Sequence, residues 1–596
     1  MQTYSAPVRD MQFVLNEVLR VEERFAELPG FEEVSADLID GVLEQAGRLF
    51  EEVVHPTNMP GHEQGCERRA DGTVRLPEGF REAYGAVRDA GWLGLSADPE
   101  YGGQGLPETL NFFIDEMFTS ANMALSLLPG LTHGACTAIE SHASQELRSK
   151  YLPNMVSGRW SGTMCLTESH AGTDLGMIRT RAVPRPDGSC AITGTKIFIT
   201  CGEHDLTENI VHLVLARLPD APPGVKGISL FLVPKFLVGA NGEPGERNGA
   251  HCVSIETKMG IEAAPTCVMS FEDATGWLVG EPHRGLACMF TMMNHERLAV
   301  GIQGLGIAEK AYQSAVAYAR ERLQGRSLSG PKRPDLPADP IIVHPDVRRM
   351  LQTTRAWNEG ARALAGWVGL EIDRSVRHPD PEARRKAADR VGLLTPVVKA
   401  FLSDLGYENA TRCQQVFGGA GYIAETGMEQ LVRDARIAQI YEGTNGVQAN
   451  DLVGRKVFMN GGETVRELAA EFRTFIAERE GDEALAEFLE PFAAALERLQ
   501  VVTEWLLERA AENREELGAA AVDYLRFTGL VCLAWLWTSM AEAALERAPS
   551  DNSGFYRAKL ATARYFMGRL LPETTALDAA IRSGADTLMA LETDAY

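Results

Sequence analysis

The hydrophobic period of this chain changes twice, and no other feature limits its fold so strongly. Up to about residue 155 the apolar residues recur at helical spacing, as in Met11, Phe13, Val14, Val18 and Leu19, and again in Leu38, Val42, Leu43, Ala46 and Leu49. From about 159 to 280 the period drops to two. In KIFIT (196–200), Ile197 and Ile199 are expected to face one way and Phe198 and Thr200 the other. NIVHLVLARL (209–218) and GISLFLVP (227–234) alternate or run apolar, and Pro-Asp-Gly at 186–188 and Pro-Pro-Gly at 222–224 supply turns. After Gly285 the helical period returns and continues almost to the end. A β module set between helical modules follows.

At 596 residues the chain exceeds what one hydrophobic core can organise. The expected division is an N-terminal extension (1–35), a helical domain (36–158), a central β domain (159–280), a helical bundle (281–460) and a further helical domain (461–596). The last boundary falls at Gly461-Gly462, and helices are expected at 464–480, 485–512, 517–547 and 554–592. The formal net charge of −24 argues against nucleic acid and anionic membrane surfaces as partners, since both require a positive field. The ten cysteines include no Cys-x-x-Cys pair and no zinc-ligand spacing, so no metal is expected. The start MQTYSAPVRD lacks signal-peptide character, and the apolar stretch from Phe527 to Met540 is short for a membrane span. These features predict a reduced, cytoplasmic protein.

The segment QIYEGTNGVQ (439–448) raises a chemical question. Met428, Leu431, Val432 and Ala435 form one face of a preceding helix, Gly443 suits its C-terminal cap, and Asn445 suits the N-cap of a following helix. Glu442 therefore falls in a junction between helices, beside apolar Ile440 and Tyr441, with no basic residue next to it in sequence. Three other segments are equally unusual. CLTESHAGTD (165–174) gathers hydroxyls and backbone N–H groups where a strand turns, a surface suited to a polar heterocycle or phosphate. KIFITCGEHD (196–205) offers an aromatic and a hydroxyl on one strand. QVFGGAGY (415–422) is glycine-rich but follows a helix, which argues against a Rossmann phosphate loop.

These four segments, in this order and spacing, resemble the FAD-dependent acyl-CoA dehydrogenases across about 36–456. YSAPVRDMQFVLNEV and the long helical tail are similar to the large-subunit branch that includes the 3-methylmercaptopropionyl-CoA dehydrogenases. The resemblance implies a mainly α fold with a central β domain: a helical N-domain, a β-barrel-like middle domain, a four-helix-bundle C-domain and an extra C-terminal helical domain. It implies α,β-dehydrogenation of a saturated acyl-CoA to the trans-2-enoyl thioester, with FAD as cofactor, electron-transfer flavoprotein or a similar acceptor as electron partner, and a homodimer. Methylmercaptopropionyl and fatty acyl thioesters both remain open as substrates.

By motif position the resemblance makes Glu442 the base that removes the α-proton while hydride leaves the β-carbon. An acyl-thioester α-proton is too weak an acid for a carboxylate in water. Hydrogen bonds to the thioester oxygen and exclusion of water close that gap, and a neighbouring cation would weaken the base. The implied cofactor contacts are Met164, Leu166, Thr167, Thr173, Phe198, Thr200, Arg322, Gln415, Gly418, Gly419, Thr444 and Gly446. Asn294, Arg297, Thr173 and Tyr441 are the implied substrate contacts. The chain departs from the family pattern at Phe198, where Trp is usual, at Met164, where an aromatic is usual, and at Ser169, where Pro is common. Glu296 stands where some branches place their base, so it is an alternative or auxiliary acid, or else pairs with a neighbour such as Arg297. An acyl-CoA oxidase using O2, and a non-catalytic acyl-CoA-binding homologue, are the alternative functions.

Overall fold

A computed structural model describes residues 2–596. The chain divides into two compact bodies. One comprises residues 46–106 and 117–299; the other comprises the N-terminal residues through Gln45, then Pro107–Glu116 and Val300–Tyr596.

The first body is built around a β-sheet of seven strands: β1 (Trp160–Cys165), β2 (Arg181–Pro184), β3 (Cys190–Thr200), β4 (Asn209–Arg217), β5 (Ile228–Pro234), β6 (Ala250–Ile255) and β7 (Thr266–Val279). The path β6-β7-β3-β2-β4-β1 is closed by β5, which pairs with both β7 and β4. Five strands thus form a ring, β7-β3-β2-β4-β5, and the barrel-like expectation holds. Long β7 makes this possible: Thr266 through Gly276 run along β3, the stretch from Cys267 to Phe271 also pairs with β6, and the last three residues pair with β5, after register shifts along the strand. The turn at Pro186–Gly188 joins β2 to β3, with Gly188 at φ +83°. β4 and β5 are buried on both faces, which explains their unbroken apolar runs. On β1, Gly162 lets the strand approach the 108–142 helix: its N–H donates to Thr132 Oγ1 at 3.0 Å, and a Cβ would lie 2.5 Å from the Ala135 side chain.

The simple alternation expected for KIFIT fails. Ile199 pairs with Cys267, but Lys196 pairs with Met269, so Ile197 and Phe198 together oppose Val268. This bulge sends Phe198 to a left-handed φ of +59° and breaks the two-residue period.

The second body is helical. Its long elements are Pro345–Arg377, Pro381–Val416, Ala486–Glu512, Glu515–Arg547 and the later part of Gly285–Glu321. Glycines let the first of these bundles close tightly: a Cβ on Gly304 would sit 2.4 Å from Leu402 O, and one on Gly406 2.6 Å from Gly304 Cα. Glu515–Arg547 corrects the expectation from Phe527–Met540, because the helix is long and apolar enough to cross a membrane. Here its apolar side chains are taken up by packing: Leu530, Leu533 and Trp537 are buried, and Gly529 lies against the Phe401 ring. The helix expected at 554–592 is instead broken into Phe555–Tyr565, a π turn at Phe566–Leu570, Glu573–Arg582 and Asp586–Met589. Pro572 has no N–H to continue the ladder.

A buried ionic network ties together distant parts of this body. Arg362 donates to Asp10, to Glu116 at 3.0 Å and to Glu309 at 3.1 Å. Lys559 reaches Asp10 and, at 2.8 Å, Glu359, which Arg355 also holds at 2.6 Å. Burial pushes Glu116 up to about 7 even against the pull of Arg362.

Candidate active site

Within the first body the implied cofactor residues lie at the turn after β1 and along the bulged end of β3. Met164 ends the strand half-buried; Leu166 is buried, Thr167 half-buried, and Ser169, Gly172 and Thr173 form an exposed polar rim. Phe198 is 60% exposed although it is a large aromatic on a left-handed backbone. An exposed ring held in a strained conformation is an arrangement suited to stacking on a ligand. Thr200 is half-buried two residues further on.

The two motif segments are joined by a pair the sequence reading missed. Lys196 Nζ donates to Leu166 O and to Glu168 Oε1, both at 2.9 Å, with both side chains buried. Glu168 also accepts from Arg179 N at 2.7 Å, Thr180 N at 3.0 Å and Thr180 Oγ1 at 2.6 Å. Burial alone would push Glu168 up, but Lys196 and these hydrogen bonds hold it down at about 2. The signal was available: a lysine inside an apolar strand must find an anion, and Glu168 is the carboxylate in the preceding loop.

The start of the Gly285–Glu321 helix packs on the 108–142 helix. His295 stacks on His133 with ring centroids 4.3 Å apart, and Glu296, 4% exposed, fills the space left by Gly134, where a Cβ would meet its Oε1 at 2.6 Å. Arg297 is buried, donates to Asn294 Oδ1 at 3.3 Å, and lies over the Phe290 ring; Asn294 itself is exposed.

In the second body, the Met428–Ile437 helix buries Met428, Leu431 and Ala435 as expected. Its capping differs from expectation. Ala438 is the C-cap, and Gly443 lies beyond, in the junction, with φ +84°; Thr444, not Asn445, caps the Asn445–Asn450 helix, accepting from Val447 N. Asn445 is freed for another task. It donates to Asp404 Oδ1 at 2.7 Å, Ser403 Oγ at 3.0 Å and Ala400 O at 3.2 Å, and accepts from Lys399 Nζ at 2.8 Å. Gln439 donates to the same Asp404 oxygen at 2.6 Å. Lys399, distant in sequence, thus brings a cation to the junction that the local motif does not reveal.

Glu442 is half-buried and has φ +56°, a conformation that costs a non-glycine residue about 1–3 kcal/mol. Gln448, fully buried, holds the junction by donating to Glu442 O at 3.0 Å and Gly443 O at 3.4 Å. Tyr441 Oη hydrogen-bonds Gln303 Oε1. Thr444 and Gly446 are exposed, and a Cβ on Gly446 would meet nothing within 4 Å. The same openness lies above Gly418, at φ +57°, and Gly419, with Gln415 and Arg322 exposed nearby in sequence or on their own helix end.

Four family descriptions match in chain order: "Acyl-CoA dehydrogenase, N-terminal domain" over 59–159, its "middle domain" over 163–274, its "C-terminal domain" over 283–457, and "Acetyl-CoA dehydrogenase C-terminal like" over 468–592. The chain is 44% identical over 604 residues to 3-methylmercaptopropionyl-CoA dehydrogenase of Ruegeria pomeroyi, an alignment that covers 98% of this chain and 99% of that protein. The chain belongs to the acyl-CoA dehydrogenase family. This dehydrogenase is also 35% identical over its whole length to a broad-specificity linear acyl-CoA dehydrogenase of Mycobacterium tuberculosis. Its fold matches the acyl-CoA dehydrogenase of Bacillus anthracis solved with FAD, with a TM-score of 0.74 at 21% identity over 96% of this chain and 91% of that one. As a family member it is an FAD-dependent oxidoreductase acting on acyl-CoA thioesters. Within the first body the residues present fit that cofactor: an exposed strained aromatic and a polar loop pinned from behind by Lys196.

Proposed function

We propose that Glu442 removes the α-proton of a saturated acyl-CoA, with 3-methylmercaptopropionyl-CoA as the first candidate and straight-chain acyl-CoA as the second. The single observation that carries the base assignment is the conformation of Glu442. A glutamate at φ +56° is kept there by the buried Gln448 amide, which donates to the carbonyls of Glu442 and Gly443, in a junction fastened through donations from Asn445 to three residues of one helix. Such strain persists where the surrounding structure demands a particular direction for the side chain. The cation at the junction is engaged by the Asn445 amide oxygen at 2.8 Å. The 164–173 loop, Phe198 and Thr200 would hold FAD, which would supply the acceptor for the β-hydride. The protein's own task is to hold the thioester so that proton and hydride leave together, and to keep water away.

The methylthio thioester is favoured by the 44% relative, and a straight chain by the 35% relative. Reoxidation by electron-transfer flavoprotein, a homodimer and a cytoplasmic location complete the reading.

The test is an anaerobic titration of the yellow holoprotein with a panel of saturated acyl-CoAs, following loss of flavin absorbance. Glu442→Gln should retain FAD and lose bleaching, while Glu296→Gln should still bleach. A dead Glu296→Gln beside an active Glu442→Gln would transfer the base role to Glu296.

A further inference from the structure

A cavity of about 220 Å³ opens within the second body, lined by none of the residues assigned above to acyl-CoA or flavin. Distant parts of the chain meet there: the stretch from Val18 to Arg24, the Pro345–Arg377 helix, Arg390 of Pro381–Val416, and the Glu463–Ala477 and Glu515–Arg547 helices of the further helical domain. Part of the lining is aromatic. The Trp535 ring lies 4.7 Å from that of Trp367, 5.2 Å from Phe472, on which it stacks, and 6.2 Å from Phe475. Trp367 and Phe472 are buried, whereas Trp535 and Phe475 are half-buried, which leaves ring surface for a guest.

The rest of the lining is mostly ionic, and its charges do not cancel. Glu371, 2% exposed, binds Arg374 Nη1 and Arg390 Nη1 through one oxygen, each at 3.0 Å, and Arg390 Nη2 pairs with Glu471. Those two guanidiniums balance those two carboxylates. Arg24 is the cation left over. Its Nε donates to Leu19 O at 2.9 Å, while Nη1 and Nη2 meet no acceptor among the described residues. The end-on fork of the guanidinium, which matches a carboxylate, is therefore unspent. The indole N–H of Trp535 also donates to no protein group among the described residues. Beyond the lining, Glu27 and Arg20 act on Arg24 with opposite signs. Against these spare donors stands one spare acceptor, Glu371 Oε2. The balance favours a guest that carries acceptors and a negative charge, and the aromatic lining favours an apolar body on it.

We propose that this cavity binds a small arylalkyl carboxylate, with its ring against Trp535 and Phe475 and its carboxylate on Arg24. The size agrees: an apolar cavity of about 150 Å³ accepts benzene, so the larger space takes a phenyl ring with a short acid arm. Arg24 belongs to the N-terminal segment, and Trp535 and Phe475 to the further helical domain. Occupancy thus fastens two ends of the chain to each other, and a bound acid raises the melting temperature.

The experiment titrates phenylpropionate into full-length, FAD-loaded protein by calorimetry, with phenylpropionamide as its neutral counterpart and benzyltrimethylammonium as a cation of similar size. Saturable binding of the acid is expected with a Kd of about a millimolar or below, weakening as salt is raised. The amide should bind at least about tenfold more weakly, because it lacks the charge that Arg24 meets. Arg24→Ala should lose the acid by a similar factor, and Arg24→Lys by less. Absence of saturable binding to the wild type overturns the proposal. So does equal affinity for acid and amide, and so does unchanged affinity in Arg24→Ala, which would put the acid elsewhere. Tighter binding of the ammonium ion would show that Glu371, not Arg24, governs the cavity, and overturns it too.

Discussion

Replacing Gln448 with leucine isolates the support of the base from the base itself. In the native chain the Gln448 amide nitrogen serves the carbonyls of Glu442 and Gly443, and its amide oxygen has no hydrogen-bond partner. Leucine has nearly the same volume and no polar atoms. The junction loses its donor, which costs roughly 1–3 kcal/mol for an acceptor left unsatisfied. It must still hold Glu442 at φ +56° against roughly 1–3 kcal/mol of strain. At about 1.4 kcal/mol per decade, the productive orientation becomes roughly ten to a hundred times rarer. Overall stability should move much less, because the substitution also removes a buried oxygen without a partner. The assay is anaerobic mixing of Gln448→Leu holoprotein with saturating acyl-CoA, reading the rate of flavin bleaching beside a thermal melt. A rate about tenfold or more below wild type with a nearly unchanged melt is expected. Bleaching within twofold of wild type would show that the amide does not govern the direction of Glu442.

Lys196→Met leaves Glu168 buried without its cation and should loosen the 164–173 loop, which is measured as a lower flavin-to-protein absorbance ratio after gel filtration; full FAD retention refutes the role. The same pair sets an acid limit. Glu168 is held at about 2 in the folded protein against an ordinary 4.5, so its stabilisation is complete above pH 4.5 and is lost as pH falls through 2. Wild type should shed flavin in that window, and Lys196→Met at higher pH. In the second body, Lys559→Met should cost roughly 1–3 kcal/mol by removing one of the two cations that hold each of Asp10 and Glu359, leaving Arg362 on the first and Arg355 on the second, and adding Asp10→Asn should restore part of it; a single change with no measurable cost removes the network from the stability of the fold.

The order of helical and β modules was legible because periodicity is local, and so were the four motifs. What escaped the sequence depends on pairing between distant segments. The bulge at Ile197-Phe198 follows from the register that β7 imposes, and nothing within KIFIT announces it. The cap at Thr444 displaced Asn445 because Asp404, Ser403 and Lys399, some forty residues earlier, compete for the Asn445 side chain. The Glu168–Lys196 pair spans two motifs that sequence reading treated separately. Likewise, Pro572 was visible, yet the apolar pattern across it suggested one continuous helix.

The link between Asp10 and Lys559 also bears on how the chain is made. These side chains are separated by 549 positions. At roughly 5–20 residues per second, a ribosome needs about half a minute to two minutes to deliver the second after the first. Arg362 is made earlier and can engage Asp10, but until Lys559 follows, that buried carboxylate lacks its second cation, so a chain halted short of residue 559 keeps only part of the anchor that ties its beginning to its end.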